Sequence, residues 1–184
     1  TIIILSALGG VTDDLLAAVT LASTGDVTYK EKLHLVERRH LNTVKELIPL
    51  DQQSSVLSMV KKRCNDIEDT CNGVFLLREL SIRTKDAIIS YGELLSSQIF
   101  AARLKSAGIV NTWKDARELI TTNTDLGHAN VDFATTNKST NDFYHKVEGV
   151  VIIPGLIARD TNGNTTTLVS GGVVYTAAVQ VAAL

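Results

Sequence analysis

Two stretches of this sequence carry residue types and spacings suited to holding a small charged molecule. The first is Ser6-Ala7-Leu8-Gly9-Gly10-Val11-Thr12-Asp13-Asp14, which follows the apolar run Ile2-Ile3-Ile4-Leu5. Such a run suits a strand buried on both faces. Gly9 and Gly10 permit positive φ and let a ligand approach the backbone closely. Thr12 is placed to cap a helix, with Asp13 and Asp14 in its first turn, where the dipole favours acids. Strand, glycine turn and helix N-terminus together bind anions at the end of open α/β sheets. They also make an ordinary βα connection, and neither a P-loop nor a GxGxxG pattern is present. The second stretch is Ser90-Tyr91-Gly92-Glu93-Leu94-Leu95-Ser96. A mid-helix glycine costs about 1 kcal/mol relative to alanine, so Gly92 beside an acid points to close approach of a ligand or another backbone. The competing reading makes Glu93 a solvated carboxylate and Gly92 a packing site. Cys64, Cys71 and the four histidines (His34, His40, His128, His145) show no metal-ligand spacing. No metal site is expected, and the two thiols read as reduced residues of a cytoplasmic protein.

The elements that must position these residues follow from periodicity. Leu33, Val36, His40, Val44 and Leu47 recur at helical spacing before Pro49, and Val56, Val60, Cys64, Ile67, Cys71 and Val74 form a second helical pattern. Residues 26–80 therefore read as a long helical insert, an antiparallel pair of about 25 residues each, serving as scaffold or as an interdomain or oligomer surface. Its mixed charges from Lys30 to Arg39 read as a solvated face. Thr84 is expected to cap a helix ending at Gly108. Ile109 to Trp113 and Val150 to Ile153 read as strands, and Asn162-Gly163 as a hairpin turn. Residues 121–141, rich in Thr, Asn and Asp, read as the most mobile stretch. A second glycine pair, Gly171-Gly172, precedes a last helix from about Tyr175, so the chain's end repeats the plan of its start.

With 184 residues, 45% hydrophobic and 21% charged, the chain is long enough for one α/β domain with a sizeable core. A net charge of −2 leaves no basic excess, so nucleic acid is not an expected partner. The apolar runs are too short to cross a bilayer, so no membrane partner is expected either. The chain opens directly on a strand, with no signal peptide expected.

In order, SALGGVTD, SYGELLS, DARELITT, PGLIARDTNGNTTTL, the glycine pair and YTAA resemble the aspartate kinases of the amino-acid kinase superfamily. The helical insert is similar to that of the larger aspartokinases, including those fused to homoserine dehydrogenase. The resemblance implies an open, mostly parallel sheet with helices on both faces, a carbamate kinase-like three-layer sandwich. It implies transfer of the ATP γ-phosphoryl group to the side-chain carboxylate of L-aspartate, with Mg²⁺, in amino-acid biosynthesis. It also implies a homo-oligomeric full-length protein. Because the acceptor is already an anion, such a transfer needs positioning and charge neutralisation rather than a strong base. By resemblance, Glu93 holds the substrate α-ammonium, Ser6 and Thr12 line the aspartate pocket, and Leu156 is an apolar wall. Gly9, Gly10, Thr166, Thr167, Gly171 and Gly172 fall beside the phosphates.

The departures from the family pattern are specific. Set against that pattern, residues 1–184 are expected to follow the family's Lys-Phe-Gly-Gly-Thr strand and to include neither the nucleotide-binding half nor a regulatory domain. Residues 1–184 are thus expected to be part of a catalytic domain. Ser170 stands where the family has an arginine for the substrate carboxylate, and Val173 and Val174 where it has Ser and a catalytic Asp. A hydroxyl cannot replace the guanidinium fork, so no catalytic residue is intact. Two alternatives stay open: another amino-acid kinase acting on a carboxylate or carbamate, and a catalytically inactive binding or assembly homologue.

Overall fold

The computed structural model describes residues 1–168 and 172–184. Ile2–Leu5 forms β1 and Val11–Thr24 forms α1, followed by α2 (Tyr29–Leu47), α3 (Gln53–Leu77) and α4 (Ile82–Ser106). Then come β2 (Asn111–Trp113), β3 (Thr121–Thr122), α5 (Phe133–Tyr144), β4 (Val150–Pro154), β5 (Ile157–Asp160), β6 (Thr165–Thr167) and α6 (Gly172–Ala182). The fold is α/β, as the residue pattern implied. The strands form two small sheets. One is wholly parallel, in the order β1-β4-β2, and the other has the order β3-β5-β6, with β5 and β6 antiparallel. β1 pairs only with β4 among the described residues, so it is half-buried rather than enclosed on both faces. β4, between two neighbours, has the buried centre: Val151, Ile152 and Ile153 are each at most 3% exposed.

The helices of segment 26–80 lie in the body of the fold. α2 and α3 pack on α1 and α4 around one shared core of Leu15, Val19, Val36, Val44, Val60, Ile67 and Leu95. His40 belongs to this core, its Nδ1 on the Val36 carbonyl at 2.7 Å and its Nε2 without a partner, and burial lowers its pKa. Burial also pushes the Cys64 and Cys71 thiols up to about 12, which leaves them inert.

Several boundaries differ from those the sequence suggests, each for a local reason. α1 is entered through Gly10 in the left-handed region, at φ 80°, so Gly10 and not Thr12 is the N-cap. Ser81, not Thr84, caps α4: its Oγ accepts from the Thr84 amide at 3.1 Å. Residues 133–144 of the polar stretch are helical, because Asp132 caps α5 through the Ala134 and Thr135 amides. The hairpin turn at Asn162-Gly163 does form, with Asp160 accepting from the Asn162 and Asn164 amides.

Candidate functional site

Parallel pairing decides where the candidate residues meet. Leu5 and Pro154 are register partners, and the Gly155 amide donates to the Leu5 carbonyl at 2.8 Å. β1 and β4 therefore release the chain at the same sheet edge. There the turn 6–10 lies beside the turn at Gly155–Leu156. α6 starts at this edge too. A Cβ on Gly155 would lie 2.8 Å from Val173 Cγ2, and one on Gly172 would lie 3.1 Å from Leu156 Cδ1. Leu156 itself adopts φ 65°, rare for a residue with a side chain. Its amide donates to Thr176 Oγ1 on α6 at 3.0 Å.

α4 brings Glu93 to this edge. A Cβ on Gly92 would fall 2.8 Å from Ala7 Cβ, with Val11 Cγ1 at 3.5 Å and Leu15 Cδ1 at 3.7 Å. The glycine is thus the point where α4 lies against the turn after β1, the close approach that its odd place in a helix suggested. One turn on, Ser96 Oγ donates to the Ser6 carbonyl at 2.6 Å. Between these contacts Glu93 is 3% exposed, and its Oε2 has no hydrogen-bond partner. Burial pushes the carboxyl up to about 7, while its own backbone amide and that of Ala7 pull the other way. It is not the solvated helix carboxylate of the competing reading. We expect Gly92→Ala to lower stability by about 1–3 kcal/mol, because overpacking outweighs the helix-propensity gain. Urea denaturation would show it; a stabilised variant would mean that the turn yields freely.

The other candidates are placed as follows. Ser6, Gly9 and Gly10 are exposed, while Thr12 is half-buried in the first turn of α1. Thr166 is fully buried and its hydroxyl is paired with that of Thr122 at 3.1 Å. Thr167 Oγ1 donates to Asp86 at 2.9 Å. Both hydroxyls are therefore engaged inside the protein. Val174 is 76% exposed in the first turn of α6. Ser170 and Gly171 lie outside the described residues.

Two residues went unnoticed in the sequence. Asp86 is a 4% exposed acid on α4 that ties this helix to β6, and burial raises its pKa. Arg39, on α2, donates from Nη1 to the Gly9 carbonyl. It sits in the mixed-charge run read as a solvated face, and only the packing of α2 on α1 reveals its reach. Among the described residues no group of three His, Cys, Asp or Glu side chains could hold a metal ion. Among the described residues no helix is long and apolar enough to cross a membrane.

No family model matches the sequence. Aspartokinase 1, chloroplastic, of Arabidopsis thaliana is 33% identical over 186 residues, covering 96% of this chain and 31% of that protein. Bifunctional aspartokinase/homoserine dehydrogenase 1, chloroplastic, of the same plant is 27% identical over 181 residues, covering 97% of the chain and 20% of that protein. The chain thus spans a third or less of the length of these two relatives. Among solved structures, E. coli aspartokinase III in complex with aspartate and ADP (R-state) matches with a TM-score of 0.88 and 28% identity, covering 99% of this chain and 40% of that one. The same enzyme in complex with lysine and aspartate (T-state) gives a TM-score of 0.88 at 27% identity. Over nearly its whole length the chain matches aspartokinases in both sequence and fold.

Proposed function

We propose that residues 1–184 are the aspartate-binding part of an aspartate kinase catalytic domain, with segment 26–80 built into its core. The observation that carries this reading is Glu93: a buried carboxyl with an unpartnered oxygen, held against the turn at the C-terminal end of β1. A primary ammonium supplies the charge and the N–H donors that this oxygen lacks, and a hydrogen bond to a charged group contributes about 1.5–3 kcal/mol. Ser6 and Thr12 would flank the bound amino acid and Leu156 would give it an apolar wall. That E. coli aspartokinase III is solved in complex with aspartate and ADP supports an amino acid and a nucleotide as the ligands.

ATP, when bound, supplies the γ-phosphoryl group. In this chain Gly9, Gly10 and Gly172, at the starts of α1 and α6, would approach its anionic groups. The described residues offer no three-ligand metal cage. Mg²⁺ carried on phosphates needs only one or two carboxylates, and Asp13, exposed in the first turn of α1, is one at this edge. On this reading the full-length protein is a homo-oligomer. The compartment is cytoplasmic, while the plant relatives are named chloroplastic.

The second reading, a binding homologue without turnover, is favoured by Val174, an exposed aliphatic residue where the family pattern has an acid. A coupled ATPase assay with L-aspartate, L-glutamate or no acceptor, run beside calorimetry, separates the readings. We expect L-aspartate to bind better than L-glutamate. We expect acyl phosphate, trapped as hydroxamate, to form far below the ~1–10³ s⁻¹ of ordinary enzymes. Absence of aspartate binding would overturn the assignment; rapid turnover would overturn the second reading.

A further inference from the structure

The cation that α2 brings to the glycine turn makes one hydrogen bond there, from Arg39 to the Gly9 carbonyl. Arg39 is exposed, and it pairs with no carboxylate among the described residues. Its Nη1 donates to the Gly9 carbonyl, and its Nη2 lies 4.0 Å from where a Cβ on Gly9 would be. Nη1 is likewise 3.8 Å from the corresponding point on Gly10. The guanidinium therefore lies over the glycine pair, at van der Waals distance from where side chains at 9 and 10 would begin. One of its five N–H donors is used, which leaves a fork with free donors. Of the two acids in the first turn of α1, Asp14 is bridged to Lys32 at 3.1 Å, and neither is paired with Arg39.

The same turn carries, through Ala7, the buried Glu93 with its unpartnered Oε2. Two residues of backbone thus separate an unsatisfied carboxyl from an unpaired guanidinium. A negative and a positive group set on one short turn are the two charges that a small zwitterion needs, its ammonium meeting the first and its carboxylate the second. We propose that Arg39 is a substrate-binding residue of this chain that takes a carboxylate of the amino acid held at Glu93. The inference rests on the aspartate-binding reading and adds to it the cation that the anionic end of the ligand requires. An arginine suits this place better than a lysine, because its planar fork matches a carboxylate bidentately.

Calorimetry on the intact chain tests it, with Arg39→Gln, Arg39→Lys and Glu93→Gln, and L-aspartate, L-asparagine and L-isoasparagine as ligands. We expect Arg39→Gln to weaken aspartate at least tenfold with an unchanged melting temperature, and Arg39→Lys to recover part of the loss. For one of the two amides, the one in which the contacted carboxylate is neutral, Arg39→Gln should change affinity less than twofold. That selectivity separates direct contact from a structural tie between α2 and the turn, which would weaken all three ligands alike. Equal loss for all three, or no loss for any while Glu93→Gln still weakens aspartate at least tenfold, would overturn the Arg39 assignment and leave the aspartate reading standing. A chain that binds no aspartate would remove both. Weakening of ADP by Arg39→Gln with aspartate untouched would assign the guanidinium to a phosphate and overturn the proposal.

Discussion

Glu93→Gln is expected to make the chain more stable at pH 8 and to weaken its affinity for aspartate by at least tenfold. The carboxyl is 3% exposed, with its pKa raised from 4.5 to about 7, chiefly by burial. A pKa raised on folding means that the folded state favours the neutral acid. No penalty exists below the unfolded value near 4.5; the penalty grows as pH rises to about 7 and is complete above it. At about 1.36 kcal/mol per unit of pKa, removing the charge should raise stability by roughly 3 kcal/mol at pH 8, and by little at pH 4. Urea titrations at the two pH values measure the difference directly. The sign for binding is opposite. An ammonium needs the ionised carboxylate, so aspartate should bind more weakly as pH falls below 7. Loss of one charge-assisted contact of about 1.5–3 kcal/mol weakens it roughly 10- to 150-fold. The Gln variant should show a flat profile. A Gln variant that is less stable at pH 8 would mean that the carboxylate is compensated by a partner within the fold.

Gly155→Ala should produce the largest purely steric effect at this edge. A Cβ there would lie 2.8 Å from Val173 Cγ2, 3.1 Å from the Val173 Cα and 3.2 Å from Ile4 Cγ2. One of these is backbone and another belongs to the strand on the opposite side, so no single rotamer change makes room. The start of α6 must move away from β1 and β4. Overpacking of this kind costs about 1–3 kcal/mol, and in a chain of this size each kcal/mol lowers Tm by about 2–4 °C. Gly73, in α3, provides the matched control, since a Cβ there meets nothing within 4 Å. Gly73→Ala should stabilise by up to about 1 kcal/mol through helix propensity alone. Calorimetric melting of both variants decides the matter. A Gly155→Ala chain that melts with the unaltered one would show that α6 does not pack against the sheet edge as described.

Much of this architecture was legible because it depends on short-range patterns. The four-residue apolar run of β1, the heptad-like spacing of α2 and α3 and the Asn-Gly turn all act within a few residues of themselves. Gly92 was readable for a different reason: a glycine that costs helix stability needs a cause, and the cause is Ala7. What escaped depends on contacts distant in sequence. Arg39 lies 30 residues from the carbonyl it bonds, and Asp86 lies 81 residues from Thr167. Neither has a local signature that distinguishes it from a solvated helix residue. Caps were misplaced because Thr12 and Gly10, or Thr84 and Ser81, compete within one turn of helix, and backbone conformation rather than residue type decides between them. The half-exposed state of β1 escaped because strand order among the described residues, not apolarity, sets how many neighbours a strand has.

The pairing of β1 with β4 has a consequence for how the chain reaches its native state. Ile2 is aligned with Val151, and the terminal ammonium of Thr1 donates to the Gly149 carbonyl at 3.0 Å. The first strand must therefore wait for a partner made almost last, while α1 to α4 can assemble from contacts among near neighbours. The thermodynamic toll of that long closure is small, since each doubling of loop length adds only about 0.6 kcal/mol. The kinetic toll is larger, because non-local pairing slows folding. In a refolding experiment followed by pulsed hydrogen exchange, the amides of Leu15 to Ala22 should be protected before that of Val151. The loop that cradles Glu93 would then gain its shape only in the closing step, on a helical platform already in place.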